Sequence, residues 1–118
     1  MELLLLFMTK HFVIDFPLQV PYMYKNKGKY GHLGGLIHAL LHGIFTAIIL
    51  YFLFPQYIWL AIIDFVLHYH IDWAKVKINS HFNLKPDTSE CFWILLGFDQ
   101  LLHFYTYFGI AYICWNFI

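Results

Sequence analysis

Four apolar stretches divide this chain, separated by two polar connections and one bare turn. The first runs from about residue 2 to 16 and meets Pro17, the second from 32 to 54, the third from 56 to 76 and the fourth from 90 to 118. Inside each stretch the polar positions recur every four residues, the spacing that stacks side chains on one face of a helix. The pattern therefore predicts four helices in one domain covering residues 1–118. The last three reach the ~20 residues that a helix needs to cross hydrocarbon. The first is shorter and carries Lys10, so tilting or local thinning of the bilayer would have to accommodate it.

Composition moves this all-α reading towards lipid. The 118 residues are 61% hydrophobic and 22% aromatic but only 12% charged, about half the charged share of an ordinary soluble domain. A soluble chain this small has too much surface to bury so many apolar groups. The expected architecture is an integral membrane four-helix bundle. Net charge is zero, and no basic run is interleaved with aromatics, so nucleic acid is not an expected partner. Cys91 and Cys114 stand far apart in apolar surroundings and read as packing residues. MELLLLFMTK lacks the basic start and the small-residue cleavage site of a secretory signal.

Charge also gives a direction. All seven basic residues are lysines, and all but Lys10 lie in or beside the first and third connections. The positive-inside tendency places those connections in the cytoplasm, as in a bacterial inner membrane, and both termini outside. Tyr57, Trp59 and Trp115 would mark the outer border, Trp73 and Trp93 the inner one.

The polar stripes carry the candidate chemistry. HFVID in the first segment pairs His11 with Asp15, and HALLH in the second pairs His38 with His42. DFVLHYHID in the third aligns Asp64, His68 and Asp72, and DQLLH in the fourth pairs Asp99 with His103. Counted from the lysine-bearing ends at 1.5 Å per residue, these pairs share a level roughly 5 to 20 Å below the inner boundary. The outer halves, such as GIFTAIILYFLF and YFGIAYICWNFI, hold no ionisable pair.

One His–Asp pair could simply join two helices, since interhelical polar bonds are worth ~0.6 kcal/mol on average. Four stripes at one level are another matter, because each Asp at membrane depth costs ~2.5–3.5 kcal/mol. Bound cations would offset that cost. Imidazole and carboxylate suit zinc, with iron and manganese as alternatives, and the absence of Cys from the set disfavours copper(I) and iron–sulfur clusters. The expected ligands are His11, Asp15, His38, His42, His68, Asp72, Asp99 and His103, enough for two divalent ions, with Asp64 outside the immediate shell. Gln19, Lys75 and Gln100 flank the stripes and are candidates for holding substrate or for orienting the ligands. His70 faces away from the third stripe, His32 and His81 sit at connections, and Lys10, beside His11, has two readings open to it, pairing with an acid or reaching a headgroup. Gly34, Gly35 and Gly43 suit close helix packing.

The strings HFVIDFPLQ, HALLH, HYHIDWAK and FDQLLH together resemble a small bacterial and phage membrane family known as a domain of unknown function, number thirty-three-oh-seven of its series. The pattern falls on His11, Asp15, Phe16, Leu18, Gln19, His38, His42, His68, Asp72, Lys75, Asp99, Gln100 and His103 and spans almost the whole chain. The resemblance implies membership and draws attention to Gln19, Lys75 and Gln100, but it implies no activity.

The functional expectation is a di-metal hydrolase that acts from the cytoplasmic side on a lipid or amphiphilic ester or phosphoester. The alternatives are a metal or proton carrier, which would need a polar path through the outer half, and a non-catalytic membrane module stapled by metal. Membrane lipid is the expected surrounding. A homo-oligomer is compatible with the size, although no self-complementary motif supports one.

Overall fold

The computed structural model describes residues 1–117, and the predicted end of the fourth segment at Ile118 lies outside them. The described residues form helices without strands: α1 (Glu2–Asp15), α2 (Pro21–Tyr24), α3 (Leu33–Leu53), α4 (Leu60–His81) and α5 (Glu90–Asn116), with a single 3-10 turn at Pro55–Tyr57 between α3 and α4. The four long helices close into a ring in which α3 packs on α4, α4 on α5, and α1 fills the side between α3 and α5. Short connections make sequential neighbours antiparallel, so the C-terminus of α1 and the N-terminus of α3 meet at one end of the bundle.

Local chemistry sets the helix ends. α1 stops at Asp15, two residues before Pro17, whose ring disfavours helical geometry in the residue before it. His32 caps α3 by accepting a hydrogen bond at Nδ1 from the Gly34 N–H, 3.0 Å away. α3 ends where Pro55 cannot continue it. α4 differs from the expected 56–76 span at both ends. It begins later because Pro55–Tyr57 is taken up by the 3-10 turn. It ends later because KVKINSH contains neither Gly nor Pro, so the helix runs on to His81. There Asn83 takes a left-handed φ of 51° and the Leu84 N–H returns to the Asn79 carbonyl at 2.8 Å, a conformation that Asn tolerates better than most residues. Lys77, beyond the expected end, is consequently helical like Lys75.

The first connection is not a bare loop. α2 and the turn after it fold back over the N-terminal end of α3. The Gly31 N–H donates to the Tyr69 hydroxyl at 2.6 Å, and the Tyr30 ring stands edge-on to Trp73. A Cβ on Gly28 would meet Val76 Cγ1 at 2.6 Å, and one on Gly34 would sit on the Tyr22 carbonyl oxygen. Gly34→Ala is therefore expected to push α2 off α3 and cost about 1–3 kcal/mol, read as a lower unfolding temperature of the purified protein.

The interior is divided along its length. At the end away from the first connection, Leu3, Phe7, Leu50, Leu60, Tyr107, Ile110, Ala111 and Cys114 form an apolar core. At the other end the interior is polar. Among the described residues, eleven polar or charged side chains are buried against twelve apolar ones, while Leu5, Phe12, Leu40, Ile44, Ile62, Ile94 and Phe108 point outward. α3 alone, among the described residues, is long and apolar enough to cross a membrane by itself.

Candidate metal centre

The helical period explains how the polar interior assembles. His38 and His42 share one face of α3, Asp64, His68 and Asp72 one face of α4, and Asp99 and His103 one face of α5. α1 contributes His11 and, at its last residue, Asp15. The ring arrangement turns all four faces inward at one level. His38, His42, His68, His103, Asp72 and Asp99 are each 3% exposed or less.

Two groups of donors result, with a third, His11, His68 and His103, that shares a member with each of them. In the first, Asp15 Oδ1 lies 2.9 Å from His42 Nε2, 3.1 Å from His38 Nε2 and 3.8 Å from His68 Nε2. His38 Nε2 and His68 Nε2 are themselves 3.2 Å apart. Four ligands about 2.0–2.1 Å from a tetrahedral ion are separated from one another by about 3.4 Å. The separations, 2.9 to 3.8 Å, bracket that figure, so the group could hold a divalent ion that takes nitrogen and oxygen donors.

In the second group His103 Nε2 lies 3.2 Å from Asp72 Oδ1 and 3.5 Å from Asp99 Oδ1, so three donors converge. Asp72 connects the two groups. Its other oxygen, Oδ2, is 3.3 Å from both His38 Nε2 and His68 Nε2. One carboxylate thus divides its oxygens between a four-donor group and a three-donor group.

The surroundings of the two groups differ. The Nδ1 atoms of His38, His42 and His68 are buried without hydrogen-bond partners, although metal-bound imidazoles usually donate from their outer nitrogen. Ring stacking orients them instead: His42 lies on His68 at 3.5 Å between centroids, and His68 on His103 at 4.1 Å. Around the second group the orienting contacts are polar. Lys75 Nζ and Gln100 Nε2 both donate to Asp99 Oδ2, at 3.1 and 3.0 Å. This leaves Asp99 Oδ1 buried and unpaired beside His103. Lys27, from the turn after α2, places its ammonium 2.8 Å from Asp72 Oδ2.

His11 has a different position from the other imidazoles. Its Nε2 faces two acceptors, Asp15 Oδ2 at 3.1 Å and Gln100 Oε1 at 3.0 Å, so that nitrogen carries the proton. Its Nδ1 then accepts from the Tyr107 hydroxyl at 2.8 Å. In this arrangement His11 steadies Asp15 and Gln100, although its ring also lies close to His68 and His103. Gln19 remains outside the cluster, where its Nε2 donates to the Asp15 carbonyl at 2.6 Å. Asp64 is separate from both groups. It receives Lys10 Nζ at 2.6 Å and the Thr46 hydroxyl at 2.5 Å, so of the two readings open for Lys10 the structure shows the pairing with an acid.

Lys27, Thr46 and Tyr107 were not among the expected site residues. Thr46 and Tyr107 follow His42 and His103 by four residues, so both continue stripes already visible in the sequence. Lys27 has no periodic signal because it lies in a turn.

A crevice of about 60 Å³ between α4 and α5 reaches Lys75 and Asp99, and its walls include Ile78, Leu95, Phe98 and Leu102. A pocket of about 460 Å³ at the opposite end is lined by Met1, Leu53 and Trp115 among others, and none of the cluster residues borders it.

The sequence model of the family described as "Protein of unknown function (DUF3307)" matches residues 3–117. No curated protein matches, and no solved structure does.

Proposed function

The chain belongs to the DUF3307 family of proteins of unknown function, and from the geometry of its polar core we propose a membrane-embedded di-metal hydrolase that cleaves an ester or phosphoester of an amphiphile. The observation that carries this reading is the position of Asp72. One of its oxygens faces a four-donor group and the other a three-donor group, so this side chain would serve both ions of a pair at once.

The two positions suit different tasks. Structural zinc sites are closed by four protein ligands, whereas catalytic ones keep three and leave a place for water or substrate. Asp15, His38, His42 and His68 form the closed set, which on its own would serve as a staple. Asp72, Asp99 and His103 form the open one. Ions there would lower the pKa of a water and polarise the ester oxygen. The reaction consumes one water: its oxygen bonds to carbon or phosphorus, the ester bond breaks, and the alcohol leaves with a proton. The chain's own part is orientation. Lys75 and Gln100 fix Asp99 by its outer oxygen and direct the inner one at His103, while His11 holds Asp15.

Lipid as the surrounding medium is supported by the inverted distribution of polarity, with Asp, His and Lys inside and large apolar side chains outside. Contiguous apolar surface on this scale is unusual for a soluble monomer, and intramembrane ionisable groups are functional by default. The lysine-rich first and third connections would then face the cytoplasm, on the side of the polar core. The apolar crevice that reaches Lys75 suits a molecule whose tail stays in lipid. A carrier is less well supported, because the apolar core from Leu3 to Cys114 fills the outer half of the bundle.

Elemental analysis of detergent-purified protein is expected to find two divalent ions per chain. One should be released easily by a chelator together with hydrolytic activity towards lipid esters, the other only with loss of thermal stability. Protein that purifies and stays folded without any divalent ion, and gains none on dialysis, would overturn the proposal.

A further inference from the structure

We infer that Lys27 and Lys75 form an anion subsite beside the open metal position, and that its ligand is the dianionic group of a phosphate monoester. The inference rests on the di-metal reading and narrows it to one substrate class.

Charge within the core is the first argument. Lys10 and Asp64 neutralise one another away from the cluster. Three carboxylates then remain, those of Asp15, Asp72 and Asp99, with the two ammonium groups of Lys27 and Lys75. The imidazoles are neutral when they act as ligands. Two divalent ions would bring four more positive charges and leave the enclosed core with a surplus of three. A surplus of that size in a low-dielectric interior demands an anion. A carboxylate ester supplies none at its reacting group, and a phosphodiester supplies one charge. A phosphate monoester supplies two and offsets most of the excess.

Position is the second argument. Both lysines pair with carboxylates of the open group, and Lys27 does so at Asp72 Oδ2, the oxygen that also faces His38 and His68 of the closed group. Lys27 meets Asp72 and Lys75 meets Asp99, the two carboxylates that flank His103. Their side chains are largely buried, 7% and 17% exposed, which is uncommon for lysine unless it is paired. Each ammonium has three donor hydrogens and only one short carboxylate contact, so donors remain for a tetrahedral oxyanion seated between them. Lys27 is carried by the first connection and Lys75 by α4 next to the lipid-facing crevice. The anion would therefore be held between the cytoplasmic cover and the path by which a lipid tail could lie.

The test uses full-length protein in neutral detergent, loaded with zinc, with inorganic phosphate as the probe in calorimetric titration. Phosphate should bind the loaded wild type, and Lys27→Met and Lys75→Met should each weaken it about tenfold or more, as expected for loss of a charge-assisted hydrogen bond. The titrations are carried out at saturating zinc, because loss of a residue that supports a ligand can itself weaken metal binding about 10–100-fold. Metal content should then stay at two in every variant, so that a fall in phosphate affinity reports the lysine and not an empty metal position. If Lys27→Met does not fold, Lys75→Met, at the more exposed position, carries the same comparison. Displacement of phosphate by phosphatidic acid but not by phosphatidylcholine assigns the subsite to a lipid headgroup. Displacement only by a water-soluble phosphate monoester assigns it to a soluble substrate, and either result upholds the subsite. Phosphate that fails to bind the two-ion protein, or binds both lysine variants and the metal-free protein equally well, would overturn the inference and leave the metal centre standing. Failure of the wild type to take up metal would overturn both.

Discussion

Asp72→Asn should leave the protein with one divalent ion instead of two and abolish its hydrolytic activity. The amide keeps the shape of the side chain but loses the charge and one of the two acceptor oxygens that now face separate donor groups, Oδ1 towards His103 and Oδ2 towards His38 and His68. The closed group retains Asp15 and three imidazoles, so its ion should stay. The open group falls to Asp99 and His103, too few to hold an ion firmly. Changes to residues that merely support metal ligands lower affinity by about 10–100-fold, and removal of a bridging ligand should exceed that. The variant should also be less stable, because Lys27 loses the carboxylate 2.8 Å from its ammonium. A buried charge deprived of its partner costs about 3–5 kcal/mol.

The two effects can be separated. In Lys27→Met/Asp72→Asn no unpaired charge is left, so most of the stability should return while the second ion does not. Metal content by mass spectrometry and thermal unfolding, measured on the same preparations, check both halves. Recovery of the second ion in the double variant would mean that Asp72 is not its ligand, and the bridging role would have to be given up.

Much of this centre was legible because a helix has a fixed period. The pairs His38/His42 and Asp99/His103 had to share a face once their segments were helical, and counting from the lysine-bearing ends placed the four stripes at one depth. Two kinds of residue escaped that reasoning. Thr46 and Tyr107 extend the stripes but carry no charge, so the cost of burying an ion, which singled out the aspartates, did not single them out. Lys27 lies where the chain reverses between α2 and α3, and its position depends on how that turn docks against Tyr69, Trp73 and Val76. No periodicity encodes such a long-range contact. The same difference explains Lys10. It is adjacent to His11 in sequence, but about 100° away around the helix, so it faces Thr46 and Asp64 between α3 and α4 rather than the donor groups.

That separation leads to a stability effect as large as the one expected for Asp72→Asn. Lys10 Nζ uses its three donors on Asp64 at 2.6 Å, the Thr46 hydroxyl at 2.9 Å and the His42 carbonyl at 3.4 Å, and lies 4.6 Å from the centre of the Tyr107 ring. Lys10→Met would leave Asp64, 1% exposed, with only the Thr46 hydroxyl, and should destabilise the fold by about 3–5 kcal/mol. Asp64→Leu alone should be similarly harmful, because the stranded charge is then the ammonium. The double change Lys10→Met/Asp64→Leu removes both charges, and buried pairs replaced by apolar residues of similar volume are often neutral or up to about 1–4 kcal/mol more stable. Its thermal unfolding should match or exceed that of the wild type. Both ions should remain bound, because neither residue belongs to the donor groups. If the double variant were stable but lost an ion, Asp64 would have to act on the centre through Thr46 and the His42 backbone, and the polar core would be one coupled network instead of a metal site with a separate salt bridge beside it.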